Sequence, residues 1–225
     1  MLRLTLKWPY CPDGVELHDY GPRSDGGPLL SGELSGQHVR YKTNRREWAN
    51  WKIDHLEAPL VLQFVNAKTD AELLGFLSVH GLTTGGWSSQ DGGREVEWST
   101  VKANQSYLRT QLLQIDYEES AEKVGRRINR LIASHPNFSL APRLEFTSGR
   151  SAPHFGLSPQ SLLGFMLMEI FLMLDAGARS KPCLRCRKLF VYGHLTGRRS
   201  TAKYCADRCR VAAMAQRNRE KDKRV

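Results

Sequence analysis

The sequence predicts an α+β protein with two parts: a mainly helical N-terminal domain that carries a small β meander, and a small C-terminal module built around cysteines. Three observations predict this division. Short β-type runs alternate with glycine and proline clusters in the first 43 residues, apolar residues then recur at helical spacing, and four of the five cysteines lie in the last 47 residues. The chain of 225 residues, 40% of them hydrophobic, is long enough for one medium domain and a small appendage.

The first predicted elements are strands. Residues 2–8, 15–20 and 38–43 are rich in alternating β-type residues, and clusters such as Gly26-Gly27-Pro28 separate them. This pattern indicates a small antiparallel sheet or an ordered meander.

Helices are predicted after the meander. Residues 60–64 and 71–79 repeat apolar side chains three and four positions apart, with Asp70 placed to cap the second helix and Gly81 to end it. Residues 94–134 contain no proline, and a break near Asp116 would make them an antiparallel helical pair.

The most apolar segment, residues 160–174, predicts a further helix, which Ser158 and Pro159 are placed to begin. It is too short to cross a bilayer, which needs about 20 residues, and it contains Glu169. We therefore expect a buried core helix or a subunit contact, and no membrane partner. Three methionines of this helix can also line a ligand pocket or a homodimer interface: Met166, Met168 and Met173.

Charge divides the chain sharply. The whole chain has 33 Lys and Arg against 23 Asp and Glu, yet residues 179–225 hold 15 of the basic residues and only 3 of the acidic ones. The N-terminal part is therefore close to neutral, which excludes a uniformly basic enzyme. The small, polar segment 177–182 predicts a joint, so we place a sensing or assembly domain at 1–178 and a basic module at 179–225.

The cysteines of the basic module have the spacing of a metal site. Cys183 and Cys186 are separated by two residues, Cys205 and Cys209 by three, and 18 residues lie between the pairs. Four thiolates are soft ligands that close a tetrahedral shell around Zn²⁺. The spacing predicts a structural Zn²⁺ site and not a catalytic one, because a closed shell leaves no position for water.

The residues around the two pairs predict the fold of the module. Residues 189–192 alternate like a strand, residues 202–204 can return as a second strand, and residues 206–224 contain no glycine or proline and favour a helix. A hairpin that supplies one cysteine pair and a helix start that supplies the other form a treble-clef-like zinc finger.

Alternatives remain open for these cysteines. Cys183 and Cys186 could act as a redox dithiol, although Pro182 precedes the motif and a strand-like run follows it. His194 could replace a cysteine ligand, but its place in the middle of a loop favours an exposed histidine. Cys11 is isolated in the sequence, and we interpret it as a buried or loop thiol.

Further residues of the module resemble the motif of a known family. Tyr204 precedes Cys205, and an arginine-rich helix is expected to run through Arg217 and Arg219. Together with the four cysteines, these residues resemble the C-terminal zinc finger of the bacterial CGNR zinc-finger, or ABATE-domain, proteins. The resemblance implies zinc binding and a role in stress-induced, DNA-linked regulation of transcription.

The resemblance extends loosely upstream and departs from the family at two points, of which one is the first cysteine pair, spaced by two residues where the family often has more. Residues 62–66, 72–77 and 80–82 are similar to the family's N-terminal pattern of a Phe-containing helix followed by a helix that ends in a His-Gly step. Residues 209–212 read Cys-Arg-Val-Ala, where the family name denotes Cys-Gly-Asn-Arg.

The basic module also predicts a surface for polyanions. Ten of its 15 basic residues are arginines, which suit bidentate contacts to phosphate or guanine. Positions 210, 217, 221 and 224 follow one another at steps of seven, four and three, so they form one helical stripe. The full set of expected contacts is Arg198, Arg199, Lys203, Arg208, Arg210, Arg217, Arg219, Lys221 and Arg224.

We expect this surface to bind nucleic acid. DNA is favoured over RNA because the module offers few exposed aromatic residues that could stack on bases. The alternatives are a zinc-stabilised module for a protein or RNA partner without a transcriptional role, and a solvated charged tail.

The sequence carries no recognised enzyme motif. It has no phosphate loop, no dinucleotide-binding glycine pattern, no His-Glu-x-x-His and no Gly-x-Ser-x-Gly. We therefore expect no enzyme, but an N-terminal domain that senses a small-molecule effector or mediates assembly; an unrecognised active site is the remaining alternative. The first residues lack a signal-peptide pattern and the paired cysteines suit a reducing compartment, so we expect a cytoplasmic protein.

Overall fold

The computed structural model describes most of the chain, and the statements below concern that part. The described residues are 4–21, 36–53, 59–84, 95–113, 123, 126, 130, 140–145, 154–159, 161–193 and 196–222. Within them the protein is α+β, as the sequence predicts, with five helices and four small antiparallel sheets.

The N-terminal strands form two sheets. Their bounds are β1 (Leu4–Tyr10), β2 (Val15–Asp19), β3 (Gln37–Tyr41), β4 (Glu47–Ile53) and β5 (Glu95–Glu97). β1 pairs with β4, and β3 lies between β2 and β5. The first three strands lie close to their predicted positions, but they do not form one meander, because β1 pairs with β4 and only β2 and β3 pair with each other. β4 is not predicted from the sequence, and the predicted helix start near residue 94 is wrong, because residues 95–97 form β5, which pairs with β3.

Three helices surround these sheets: α1 (Leu60–Asn66), α2 (Asp70–His80) and α3 (Trp98–Leu113). The two short helices are confirmed, but Thr69 caps α2 in place of Asp70. The Thr69 hydroxyl accepts from the Glu72 N–H, and the Glu72 carboxylate accepts from the Thr69 N–H, which satisfies two donors at the helix start.

The next elements lead into the core helix: β6 (Leu140–Glu145), β7 (His154–Pro159) and α4 (Leu162–Asp175). The predicted helix start at Ser158 and Pro159 is wrong, because both residues belong to β7, where Pro159 lies opposite Leu140. Ser161 caps α4 instead, with its hydroxyl accepting from the Gly164 N–H over 2.9 Å. The predicted helix break near Asp116 lies outside the described residues.

α4 is buried on nearly every side, which confirms the predicted core helix. Its methionines Met166, Met168 and Met173 are 0%, 8% and 1% exposed and pack in the main core. Glu169 lies in the middle of α4, where its carboxylate accepts the backbone N–H groups of Leu60 at 2.9 Å and Val61 at 2.7 Å. The core helix therefore holds the start of α1.

The C-terminal region consists of β8 (Arg179–Pro182), β9 (Leu189–Tyr192) and α5 (Asp207–Asp222). Within the predicted joint at 177–182, residues 179–182 form β8, which pairs with β9. Residues 202–204 form no strand, so β8 takes the place predicted for them. The predicted helix is confirmed, although it begins at Asp207, two residues after Cys205.

Among the described helices, none combines the length and the apolarity that crossing a membrane requires. The Gly26-Gly27-Pro28 cluster, His194 and Arg224 lie outside the described residues, and so does the side chain of Lys221.

Candidate metal centre and cationic surface

Strand β9 is shared by two hydrophobic cores. Because side chains alternate across a strand, Leu189 and Val191 enter the main core while Phe190, 2% exposed, faces the opposite side. There Phe190 packs against the buried residues Cys183 and Cys209 in a second, much smaller core. The cysteines thus lie on the outer face of a strand whose inner face is held by the N-terminal part.

The first cysteine pair lies in a tight turn between β8 and β9. The Cys183 N–H donates to the Lys188 carbonyl over 2.9 Å, and the Arg187 N–H donates to the Cys183 carbonyl over 3.0 Å. Arg187 closes the turn with a φ of 63°, in the left-handed region that non-glycine residues seldom adopt. This turn brings the sulfurs of Cys183 and Cys186 to one side of the hairpin.

The second cysteine pair spans the start of α5. Cys209 lies in the first turn of the helix, and its N–H donates to the Ala206 carbonyl over 3.1 Å. Cys205 precedes the helix, and its N–H donates to the Cys183 sulfur over 3.4 Å. The Leu184 N–H donates to the Lys203 carbonyl over 3.1 Å, so the two cysteine segments are bonded side by side.

These segments bring four sulfurs together in what we call the tetracysteine cluster: Cys183, Cys186, Cys205 and Cys209. All four sulfurs lie within 4.8 Å of one another. The Cys205 sulfur is 3.5 Å from that of Cys186 and 3.6 Å from that of Cys209, well beyond a disulfide bond of about 2.05 Å. A tetrahedral ion with metal–sulfur bonds of about 2.3 Å spaces its ligands about 3.8 Å apart. The cluster therefore has the size and the donor set to hold a metal ion such as zinc.

The electrostatics of the cluster also favour a cation at its centre. Burial raises the pKa of the Cys183 thiol, but N–H groups of Cys186, Cys205 and Arg185 donate to its sulfur and lower the pKa to about 6. Burial and the neighbouring sulfurs of Cys186 and Cys209 raise the pKa of Cys205. Thiolates this close repel one another, so all four can ionise together only around a positive ion.

Comparisons of this chain with protein-family models, with curated proteins and with solved structures find no match.

Cys11 does not belong to the cluster. Its thiol is buried, 1% exposed, and lies 3.4 Å from the Thr43 hydroxyl and 3.7 Å from the Thr43 carbonyl oxygen. The prediction of an isolated buried thiol is confirmed.

Hydrogen bonds connect the hairpin of β8 and β9, which we call the metal-site hairpin, to the N-terminal part. The Asn66 side chain bonds the backbone of Leu189, the Lys68 ammonium donates to the Cys186 carbonyl over 3.0 Å, and the Ser180 hydroxyl donates to the Leu112 carbonyl over 2.7 Å. The sequence analysis misses these anchors because the partners lie between 68 and 123 positions apart in the chain. The domain boundary at residue 178 stays a prediction, and these contacts cross it.

Most of the basic side chains that are predicted to contact nucleic acid are exposed to solvent. We call the following residues the cationic surface: Arg198, Arg199, Lys203, Arg208, Arg210, Arg217 and Arg219. All are exposed except Arg198, which is half-buried. Lys221 lies on the last turn of α5. Outside the first turn, α5 is exposed on most faces, including its apolar residues Val211 and Met214.

Some of these cations have partners within the protein. Arg210 forms an exposed ion pair with Asp207 at 3.1 Å, and Arg217 donates to the Tyr204 hydroxyl over 3.1 Å. An exposed ion pair contributes little, about 0 to 1 kcal/mol, so Arg210 can exchange Asp207 for another anion at small cost.

A basic pocket of about 480 Å³ lies between the loop before α5 and the start of that helix. Among the described residues that line it are Arg198, Arg199, Lys203 and Arg210, and Asp207 is the one carboxylate among them. The cationic surface is thus concave beside the metal site, and the concave part is wide enough for a phosphate group.

Proposed function

We propose that this protein is a zinc-binding, DNA-binding regulator of transcription, in which Zn²⁺ in the tetracysteine cluster fixes the helix that contacts DNA. The observation that carries the proposal is the convergence of four sulfurs at the base of an exposed, arginine-rich helix. The hairpin β8–β9, which supplies one cysteine pair, and the start of α5, which supplies the other, support a treble-clef-like finger.

Metal analysis of the purified protein tests the zinc part. We expect one zinc per chain, lost on replacing Cys183 or Cys209 by serine. Cys11→Ser is the matched control, because this buried thiol lies outside the cluster and should leave the zinc content unchanged. Less than half an equivalent of zinc, together with ready oxidation of Cys183 and Cys186 to a disulfide, would support the redox alternative.

The distribution of charge on α5 supports a helix that lies in a groove. Arg210 and Arg217 are seven positions apart and share one face, whereas Arg208 and Arg219, eleven positions apart, share the nearly opposite face. The B-DNA major groove, about 12 Å wide, admits a helix and has a phosphate strand on each side. The major groove of A-form RNA is too narrow to admit one, so this arrangement favours DNA.

Titration of full-length protein with a DNA duplex at increasing salt tests the DNA part. Contact with about six phosphates predicts a log–log slope near −5, and the double variant R208Q/R219Q should reduce the slope by about 2. Lys42→Gln, an exposed cation in the N-terminal part, should not change the slope. The proposal fails if the duplex does not bind at low salt. It also fails if the R208Q/R219Q and Lys42→Gln variants give the same salt slope.

Exposed apolar residues favour a protein partner as the second candidate. Leu184, Val211 and Met214 are 57%, 58% and 51% exposed, and all three belong to the metal-site region. Val211→Ser and Met214→Ser should leave the salt slope of DNA binding unchanged. Sedimentation of the full-length protein tests self-association through these residues, which the same substitutions would abolish.

The role of the N-terminal part follows from this proposal. We infer that it senses an effector or mediates assembly, that it has no enzymatic activity, and that the protein acts in the cytoplasm. Membership of the CGNR, or ABATE-domain, family stays a prediction from the residues given above.

A further inference from the structure

We propose that the cleft between α1, α2 and the metal-site hairpin binds a small amphipathic anion, an apolar chain or ring with one carboxylate-like head group. The cleft is shallow and open to solvent, and its volume of about 740 Å³ lies within the range of small-molecule sites. Its walls belong to both parts of the chain, since Leu62 and Val79 line one side and Lys188 and Arg198 the other.

The floor of the cleft is apolar and uncharged. Phe76 lines it, and the His80 ring lies against Phe76 with ring centroids 4.4 Å apart and ring planes tilted by 45°. Burial lowers the pKa of His80 to about 4, so this histidine is neutral at physiological pH. Val79 is 59% exposed although it lines the cleft, so an apolar ligand would remove its side chain from water.

The rim of the cleft selects an anion. Among the described residues, no carboxylate lies within 4.0 Å of the Lys188 ammonium or the Arg198 guanidinium. The one carboxylate in the lining, Glu72, already accepts the N–H groups of Lys68 and Thr69, which lower its pKa, and the nearby charge of Lys188 lowers that pKa further. A ligand carboxylate would therefore meet two cations, whereas a cationic ligand would compete for an occupied group.

Gly75 leaves room inside the cleft. It lies on the exposed side of α2, and a Cβ built on it would meet no atom within 4 Å. A larger side chain at this position would extend into the space that the ligand needs without touching the protein, so the cleft can be closed by one substitution.

The position of the cleft links a ligand to the metal site. Cys205 and Phe190 line it together with α2, and Asn66 in its wall bonds the hairpin. A bound anion would contact the N-terminal part and the metal-site hairpin at once, so it would stabilise their present arrangement.

Calorimetric titration of the full-length protein with sodium octanoate, 1-octanol and octylammonium tests the proposal. We expect octanoate to bind with one site per chain, octanol at least fivefold more weakly, and octylammonium not at all. Gly75→Leu should weaken octanoate at least tenfold, and Lys188→Gln should reduce the preference for octanoate over octanol to less than twofold. Lys42→Gln should change neither the affinity for octanoate nor the preference for octanoate over octanol.

A second pair of variants keeps the test decisive if Gly75→Leu misfolds. Val79→Asp places a negative charge in the cleft and should weaken octanoate at least tenfold, while Leu113→Asp, at an apolar residue 48% exposed outside the cleft, should not. The proposal is overturned if none of the three probes binds, if octanol binds as tightly as octanoate, or if Val79→Asp binds like the wild type. Arg198 belongs to both the cleft and the cationic surface, whereas Gly75, Val79 and Lys188 do not, so variants at these three positions test the cleft without altering a proposed DNA contact.

Discussion

The side-chain amide of Asn66 bonds both backbone groups of Leu189. Its Nδ2 donates to the Leu189 carbonyl over 2.8 Å, and its Oδ1 accepts from the Leu189 N–H over 2.7 Å, across 123 positions of sequence. Asn66 is the last residue of α1 and Leu189 the first of β9. The amide thus pairs with the free edge of β9 as a neighbouring strand would, and it sets the position of the metal-site hairpin.

Replacing Asn66 by alanine should destabilise the protein by about 1 to 3 kcal/mol, because a buried N–H and a buried carbonyl at Leu189 both lose their partner. Asn66→Asp should cost at least as much, since its second oxygen would face the Leu189 carbonyl. Urea denaturation measures both. Asn218→Ala, on the exposed side of α5, is the control and should change the stability by less than about 0.5 kcal/mol.

The tetracysteine cluster could be predicted from the sequence because the spacing within each cysteine pair indicates a local structure. The Cys183 and Cys186 spacing describes a turn, and the Cys205 and Cys209 spacing describes a helix start. The alternation of residues 189–192 likewise predicts β9, and helical periodicity predicts the short helices. Each of these features depends on residues a few positions apart.

The features that the sequence analysis misses depend on distant partners. Segment 179–182 is polar and contains a proline, yet it forms a strand because it pairs with β9 and because Ser180 bonds the Leu112 carbonyl. Ser158 and Pro159 have a good local helix-start pattern, but the pairing of Pro159 with Leu140 keeps them in β7. Tertiary contacts override local preference at both places.

Removal of the metal should unfold α5 and leave the N-terminal helices intact. Among the described residues, the small core around the cluster contains three buried residues, and an isolated helix of 16 residues is marginal in water. Amide hydrogen exchange of the full-length protein with and without a strong chelator measures this. Protection should vanish in α5 and persist in α4; equal protection of α5 in both samples would contradict the prediction.

Replacing Gly75 and Gly81 by alanine should change the stability of the protein in opposite directions. Gly75→Ala should stabilise the protein by about 0.5 to 1 kcal/mol, because the new methyl group meets no atom and alanine favours the helix. Gly81→Ala should destabilise it, since Gly81 has a φ of +88° and its Cβ would lie 2.8 Å from the Pro9 carbonyl oxygen. Thermal denaturation of the two variants gives the signs, and a loss of stability in Gly75→Ala would contradict the open cleft.

Glu169 should make stability fall as the pH rises. Burial raises the pKa of this carboxyl from 4.5 to about 7, although the N–H groups of Val61 and Leu60 oppose the shift. The folded protein therefore binds more protons than the unfolded chain between these pH values. Its stability decreases by roughly 3 kcal/mol over that interval and then stays level.

The difference in free energy of unfolding between the wild type and Glu169→Gln isolates this contribution, because effects shared by both proteins cancel. We expect the wild type to lose its advantage over the variant as the pH rises from about 4.5 to 7. Asp175→Asn, at the exposed end of the same helix, is the control variant and is measured in the same way. A wild-type advantage that grows with pH would mean that the two N–H groups at the start of α1 outweigh burial, with the folded pKa below 4.5.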